Sequence, residues 1–242
     1  MASSSSSSSA DLLAWLAEHP AALEPGIVFY EGPLDLGAHF SVPLHGVDPL
    51  GRPCVVQATE VVNTSALEWM VEVVSRLRAE SGRLTRWYTR ANEPRVFLVA
   101  PHFSRQDRDR LTLLADAFPL RAFSWEWSAD EGAAPSLLLE MPLPGKDSEK
   151  SFGDLPEELR RSGQRILRAA DQVRPPLTKV GAPWPLLFIG SQGPCASLYK
   201  DGNDLVFASQ KEGVPEVLEV VDDESADVAI DRLMREQWQS SQ

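Results

Sequence analysis

The chain has 242 residues, enough for one large domain or for a medium and a small domain with separate cores. Hydrophobic residues make up 43% of the sequence and charged residues 24%, a composition that argues against extensive disorder. The formal net charge of −12 repels phosphate backbones, so nucleic acid is not the default partner.

The cysteines and the N-terminus indicate the compartment. Cys54 and Cys195 are too few for a disulfide framework and too far apart in sequence for a metal knuckle. The serine run at the N-terminus lacks the basic region and the apolar core of a secretory signal, and no apolar stretch is long enough to span a membrane. We therefore predict a cytoplasmic protein without a membrane partner, and a disordered serine-rich tail over residues 1–10.

A short docking helix follows the tail, with Ser9 or Asp11 as its cap and with leucines and Trp15 as its apolar surface. Apolar runs then predict strands at residues 27–30, 39–47 and 53–58. The turn sequence Asp48-Pro49-Leu50-Gly51 joins the last two runs, because Pro favours its second position and Gly its fourth. These two strands therefore form an antiparallel hairpin.

Beyond the hairpin, apolar residues at spacings of three and four predict a helix that starts at Asn63, Thr64 or Ser65. Its buried stripe consists of Leu67, Met70, Val71, Val74 and Leu77. The run at residues 95–100 is typical of a strand that is buried on both faces of a sheet.

A second helix starts with the capping-box pair Ser104 and Asp107, and a further strand covers residues 120–127. The inner face of this helix consists of Leu111, Leu114, Ala115 and Phe118. The pattern predicts an α/β domain over residues 11–128, with a mixed central sheet and flanking helices.

A small α+β domain is predicted over residues 154–242, after a connector at 129–153 that contains the apolar run SLLLEMPL. Its first helix covers residues 155–173 between prolines, and Gly163 weakens that helix by about 1 kcal/mol relative to Ala. The runs WPLLFIG, ASLYKDGNDLVFAS and PEVLEVV are strands, DGND is a hairpin turn and SADVAIDRLMREQW is the last helix.

The hairpin GVDPLGRPCVVQAT, the helix after it and the strands RVFLVAPHFS and LRAFSWEW resemble the restriction-endonuclease-like, or PD-(D/E)xK, nuclease superfamily. The resemblance covers residues 25 to about 128. It implies an Asp on the first hairpin strand and, on the second, an acid and a Lys two residues apart on one face. In active members the two carboxylates hold Mg²⁺ and the Lys helps to activate water.

This chain departs from that pattern, because Pro43 or Leu44 stands at the Asp position, Gln57 at the acid and Thr59 at the Lys. None of these side chains is an anionic ligand. The resemblance therefore implies a degenerate nuclease domain, from which we expect no catalytic residue, no metal and no other cofactor.

A nuclease with migrated ligands is the alternative, and Mg²⁺ is expected only under it. Asp35 and Glu60 are the fallback acids, with His45 as a third ligand, whereas Asp48 is assigned to the turn. His39 and His45 form half a metal site if they share one face of a strand. His102 follows a strand and is assigned to orienting a loop.

Two charged runs could bind partners. Residues 76–110 hold nine arginines and four acids, and Arg83, Arg86, Trp87 and Arg90 are the candidate residues for contacts with nucleic acid. Residues 212–227 hold seven acids and no basic residue, which is typical of a solvated loop or of a phosphate mimic for a basic partner.

The leading hypothesis is a non-catalytic, nuclease-like protein that acts as an interaction or regulatory module and binds another protein. A divalent-metal nuclease and a nucleic-acid-binding protein that does not cleave are the alternatives. The sequence leaves the partner and the oligomeric state open.

Overall fold

The computed structural model describes residues 8–127, 134–139, 152–180, 185–191, 193–211 and 213–239. These residues divide into two units. Unit 1 contains the described parts of residues 1–19, 29–47 and 51–141, and unit 2 contains residues 20–28 and 48–50 with the described parts of residues 142–242. The predicted first domain at 11–128 included the two short segments that lie in unit 2.

Helix α1 spans Ser9–Glu18 and begins with a capping box. The hydroxyl of Ser8 accepts from the backbone N–H of Asp11 at 3.3 Å, and the Asp11 carboxylate accepts from the backbone N–H of Ser8 at 2.8 Å. The cap is therefore Ser8 rather than Ser9 or Asp11, and residues 8–10 start a helix instead of ending the predicted tail. Residues 1–7 lie outside the described residues.

The central sheet of unit 1 has the order β1-β4-β5-β6-β7-β8. Strands β5, β6 and β7 are parallel, while β4 and β8 run antiparallel to their neighbours β5 and β7. The first eight strands along the chain are β1 Val28–Phe29, β2 Leu34–Asp35, β3 Ser41–Val42, β4 Leu44–Val47, β5 Pro53–Ala58, β6 Arg95–Ala100, β7 Leu120–Glu126 and β8 Ser136–Leu139. Helices α2 Thr64–Ala79, α3 Ser81–Leu84 and α4 Arg105–Ala115 join them. The predicted mixed sheet with flanking helices is confirmed.

The predicted hairpin is present, with Leu44 of β4 opposite Val56 of β5. Gly51 of its turn has φ +78°, and a Cβ at this position would collide with the side chain of Thr89, so the turn requires glycine. The predicted strand at residues 39–47 is wrong, because it is broken at Pro43. The part before Pro43 is β3, which pairs with β2 in a separate small sheet, whereas the part after it is β4.

Of the three candidate caps of helix α2, the structure has Asn63, whose side-chain oxygen accepts from the backbone N–H of Ala66 at 2.9 Å. Its buried residues are Ala66, Met70, Val73, Val74 and Leu77. The predicted stripe is therefore wrong at two positions, because Val71 is 49% exposed and Leu67 is only half-buried.

Helix α4 starts with the predicted capping box, in which the Ser104 hydroxyl accepts from the backbone N–H of Asp107 at 3.2 Å. On its predicted inner face Leu111 and Phe118 are buried, but Leu114 and Ala115 are only half-buried. Both helices therefore keep apolar surface outside the core.

Unit 2 is a small α+β unit, as predicted. Its antiparallel sheet has the order β13-β12-β11-β10-β9. The elements are α5 Glu157–Gln172, β9 Thr178–Val180, β10 Leu186–Gly190, β11 Gly193–Asp201, β12 Asp204–Lys211, β13 Val214–Glu219 and α6 Asp223–Gln239. Residues from α5, α6 and the sheet, including Ile166, Phe188, Phe207 and Leu233, share one buried core with Phe152.

The segment at residues 20–28 belongs to unit 2 and makes buried polar contacts there. The Tyr199 hydroxyl lies 2.7 Å from Oε1 of Glu24 and 2.9 Å from the carbonyl oxygen of Pro25, to which the Ser197 hydroxyl also donates at 2.6 Å. Gly26 has φ +95°, and a Cβ there would lie 2.7 Å from the Cβ of Ala208. Tertiary contacts hold residues 24–26 against β11 and β12, and a local sequence pattern does not reveal such contacts.

The predicted connector at 129–153 lies largely outside the described residues. Within it, residues 136–139 of the SLLLEMPL run form strand β8, where Leu137 lies opposite Trp125 of β7. This part of the predicted connector therefore belongs to the central sheet.

Candidate functional site

The three positions that the resemblance assigns to metal and water chemistry are used differently here. Gln57 shares a face of β5 with Val55, and its Oε1 is buried without a hydrogen-bond partner in the part of the chain that the structure describes. The Thr59 hydroxyl donates to the carbonyl of Val61 at 2.8 Å. Pro43 has no side-chain oxygen. These residues do not fit Mg²⁺, which is held mainly by carboxylate oxygens.

The fallback acids are separately engaged. Asp35 accepts from the backbone N–H two residues further on at 2.8 Å, and Glu60 accepts from the backbone N–H of Ser9 at 2.7 Å. Asp48 accepts from the backbone N–H of Leu50 at 3.0 Å, which agrees with its predicted turn role. Across the described ranges, no group of three or more His, Cys, Asp or Glu side chains could hold a metal ion.

His45 is buried on β4, and its Nδ1 lies 2.7 Å from the Tyr88 hydroxyl. Burial lowers the pKa of His45, although a hydrogen bond with the Gly32 backbone acts in the opposite direction. Burial likewise raises the pKa of the Tyr88 hydroxyl, with smaller contributions from Tyr30 and Cys54. The two groups therefore share a buried hydrogen bond between a protonated hydroxyl and a neutral imidazole.

The other two candidate histidines, His39 and His102, do not lie on the strand face of His45. His39 is exposed in the turn before β3, where it has φ +62°, so it does not share a strand face with His45. His102 is exposed just after β6.

Helix α1 packs next to the hairpin of β4 and β5. It contacts β5, and the hydrogen bond from Ser9 to Glu60 ties its first residue to the end of that strand. A pocket of about 330 Å³ is lined by Leu13, Ala14 and Ala17 of α1 together with Pro43 and Leu44 of the hairpin. The Asp position of the nuclease pattern therefore borders an apolar pocket.

The candidate arginines for nucleic acid are partly engaged within unit 1. Arg83 pairs with Glu80 at 2.9 Å and donates to the backbone carbonyl of residue 35 at 2.9 Å, and Arg90 lies 3.9 Å from Glu93. The guanidinium of Arg86 lies 3.6 Å from the centroid of the Trp87 ring. Arg86 and Trp87 form a cation–π pair on a part of unit 1 where Arg86 is exposed.

The turn between β2 and β3 has an unusual backbone. Ala38 and His39 have φ values of +46° and +62°, which cost roughly 1–3 kcal/mol each for residues other than glycine. Arg76 holds the turn by donating to the carbonyls of residues 36 and 37 at 3.3 and 3.1 Å. This turn places Phe40 so that its ring stacks on Trp69, with the guanidinium of Arg76 4.8 Å from the ring centroid.

These aromatic rings form part of an open groove between α2 and α4, with a volume of about 980 Å³. Two of its apolar residues are exposed, Val71 at 49% and Leu113 at 73%. The groove is lined by Phe40, Thr64, Ser65, Leu67, Glu68, Trp69, Val71, Glu72, Arg110, Leu113 and Leu114. Glu68 on α2 and Arg110 on α4 have no ion-pair or hydrogen-bond partner among the described residues.

This groove was not predicted, although the sequence contains a signal for it. Leu113 lies two residues from the buried Leu111, which is off the stripe of a helix that buries one face. Val71 likewise widens the apolar arc of α2 beyond its buried residues. Apolar residues outside the core stripe indicate a surface for contact rather than a core position.

The acidic run at residues 212–227 is partly structural. Asp222 accepts from the backbone N–H of Ser225 at 2.8 Å in the first turn of α6, which lowers the pKa of its carboxyl. Arg165 of α5 pairs with Asp223 at 3.0 Å and also with Asp227. Contacts within unit 2 therefore give Asp222, Asp223 and Asp227 structural roles.

No family model matches the chain, and no curated protein matches it. A crystal structure of a repair endonuclease from Pyrococcus abyssi is similar to it, with 22% identity and a TM-score of 0.39, over 51% of this chain and 50% of that chain. A structure of an EndoMS–dsDNA complex is similar with 23% identity and a TM-score of 0.38, over 51% and 47% of the two chains. The chain thus spans about half the length of the solved structures that it matches, and neither likeness assigns it to a family.

Among the helices that the structure describes, none has the length and apolar character to cross a bilayer.

Proposed function

We propose that unit 1 is a non-catalytic, nuclease-like module and that the protein acts by binding another protein. The observation that carries the proposal is the hairpin itself. Pro43 stands at the position of the first carboxylate, Gln57 at the second and Thr59 at the lysine, and the Thr59 hydroxyl is engaged by the carbonyl of Val61. A doubly charged ion is held poorly without negative oxygen ligands.

The surroundings of the hairpin support the same proposal. Glu60 binds the start of α1, His45 forms a hydrogen bond with Tyr88, and Asp35 stabilises a turn, so each fallback ligand has a separate local role. No described contact favours the alternative in which these three residues share an ion.

A nuclease assay tests the proposal directly. The purified full chain is incubated with single- and double-stranded DNA and with RNA, in the presence of Mg²⁺ or Mn²⁺. We expect no cleavage. Cleavage that is lost in Asp35→Ala or Glu60→Ala, but kept in the matched control Asp116→Ala, would overturn the proposal, because Asp116 is an exposed acid at the end of α4.

Nucleic-acid binding without cleavage is a second candidate, favoured by the stacking of Arg86 on Trp87. Arg83 and Arg90 contribute less to it, because acids lie beside both. An electrophoretic mobility-shift assay at low salt measures it. A shift that Arg86→Glu abolishes supports this candidate, and a shift that the variant leaves unchanged removes it.

A further inference from the structure

We propose that the groove between α2 and α4 binds an amphipathic helix of a partner protein, with basic residues along the flank that faces α2 and acidic residues along the flank that faces α4. This inference rests on the proposed function and gives it a site and a partner chemistry.

The walls of the groove indicate an apolar ligand of helical size. On α2 the lining residues extend from Thr64 to Glu72, which is about 12 Å along the helix axis at 1.5 Å per residue. On α4 they are Arg110, Leu113 and Leu114, which share one face at spacings of three and four. A partner helix that contacts the groove over about two turns matches this length, and its own apolar stripe would cover the exposed Leu113.

The exposure of the groove argues against a small molecule as the ligand. Small-molecule sites usually enclose most of the ligand, about 70–90% of its surface. Here Leu113 is 73% exposed and Val71 is 49% exposed, so the groove is open to solvent along both walls. An open apolar groove is instead typical of sites that bind one face of a helix.

The charges on the two walls define the flanks of the partner. Glu68 and Glu72 lie one turn apart on α2, and Arg110 lies on α4. Glu72 already pairs with Arg76 at 2.6 Å, whereas Glu68 and Arg110 are without partners in the described ranges. A helix with lysines toward α2 and glutamates toward α4 would pair with both of them. The same two glutamates would repel the phosphates of a nucleic acid.

A second copy of this chain is a poorer match to the same surface. In a twofold dimer the same patch meets itself, so two concave grooves would face each other and leave their volume unfilled. A separate convex helix fills the groove without this cost.

A designed peptide tests the inference. The probe is a fluorescent helix of about 18 residues, longer than the roughly 12–15 residues below which isolated helices are marginal. It carries a leucine stripe with lysines on one flank and glutamates on the other, and the control peptide has the two flanks exchanged at identical composition. Fluorescence anisotropy with the full chain measures binding.

We expect the first peptide to bind more tightly than the control peptide. Leu113→Asp should weaken it about tenfold or more, because it places a charge in the apolar groove. Val61→Asp is the matched control, since Val61 is 62% exposed in unit 1 but does not line the groove, and it should leave binding unchanged. The double variant Glu68→Lys, Arg110→Glu should reverse the preference between the two peptides by roughly threefold or more.

The inference is overturned if neither peptide binds, or if Leu113→Asp and Val61→Asp have equal effects. It is also overturned if the unmodified chain self-associates in sedimentation and Leu113→Asp abolishes that association, because the ligand is then a second copy. Cleavage in the nuclease assay on the same preparation would remove the proposed function instead, so the two failures are distinguishable.

Discussion

The helix pair α5 and α6 of unit 2 is closely packed, whereas the helix pair α2 and α4 of unit 1 leaves a groove. In unit 2, α5 packs on α6 and both helices contribute to one buried core, partly through the small residues Ala170, Ala226 and Ala229. In unit 1, α2 and α4 leave an open groove with exposed Leu113. Small residues allow close approach of two helices, whereas larger apolar residues with unmatched charges beside them leave surface for a partner.

The two helix pairs also differ in the ion pairs between their helices. Arg165 on α5 pairs with Asp223 and Asp227 on α6, so opposite charges are joined across the closed pair. Across the open pair, Glu68 and Arg110 have no such partners in the described residues. The comparison therefore predicts that substitutions in the closed pair affect folding and that substitutions in the open pair affect binding.

The largest expected effect is on the core of the closed pair. Phe152→Ala should destabilise unit 2 by about 3–5 kcal/mol, because it removes a fully buried aromatic ring and leaves a cavity. Leu113→Ala in the open pair should change stability by less than about 0.5 kcal/mol. Chemical denaturation, with hydrogen exchange of the α5 and α2 amides to assign each effect to its unit, measures both. Similar losses in the two variants would contradict the comparison.

Mild acid should weaken unit 1 through His45. The pKa of His45 is lowered in the folded state, so the unfolded chain takes up a proton first as the pH falls. Unit 1 should thus have its full stability above about pH 6.5, the ordinary histidine pKa, and lose stability as the pH falls from there toward the folded pKa. All four histidines, at positions 19, 39, 45 and 102, belong to unit 1, so unit 2 lacks this dependence.

Variants separate the contributions to this effect. Tyr88→Phe should cost about 1–3 kcal/mol, because it leaves the buried Nδ1 of His45 without its hydrogen-bond partner. His45→Gln should abolish the pH dependence, and His39→Gln should preserve it, since His39 is exposed. The measurement is the denaturation midpoint of unit 1 as a function of pH. A dependence that survives in His45→Gln would assign the effect to another group.

Local patterns predicted the elements whose determinants are local. The caps at Asn63 and Ser104, the buried strand at residues 95–100 and the turn at Asp48–Gly51 are each specified by a few neighbouring residues, and all are present. The break at Pro43 was missed because an apolar run on both sides outweighed the missing N–H.

Neither the groove nor the assignment of residues 20–28 to unit 2 could be predicted from local sequence patterns. Whether Val71 is core or surface depends on where α4 lies, and the register of α2 alone does not determine that. Likewise, the burial of Glu24 depends on Tyr199, which lies 175 residues further along the chain. Of the candidate site, the residues of the hairpin were predictable from the sequence, whereas the apolar surface was not.

Glycine at position 163 provides a sharper test of the closed pair. The sequence alone suggests that Gly163→Ala stabilises α5 by about 1 kcal/mol. In the structure, however, the added Cβ would lie 2.7 Å from the buried ring of Phe152. Overpacking typically costs about 1–3 kcal/mol. After the gain of about 1 kcal/mol in helix propensity is subtracted, we expect a net loss of up to about 2 kcal/mol. Gly82→Ala in α3, where a Cβ meets nothing within 4 Å, is the control and should not destabilise. A stabilised Gly163→Ala would show that Phe152 can move.

The smallest expected effect concerns the charges that distinguish the two pairs. Arg165→Gln should lower the melting temperature of unit 2 slightly at low salt, because it removes the ion pairs with Asp223 and Asp227. The difference should disappear at high salt, since exposed charges are then screened. Arg110→Gln on the open pair should have no effect at either salt concentration, because the described residues contain no partner for it. A loss in Arg165→Gln that persists at high salt would instead assign the role of Arg165 to packing of its aliphatic stem against α6.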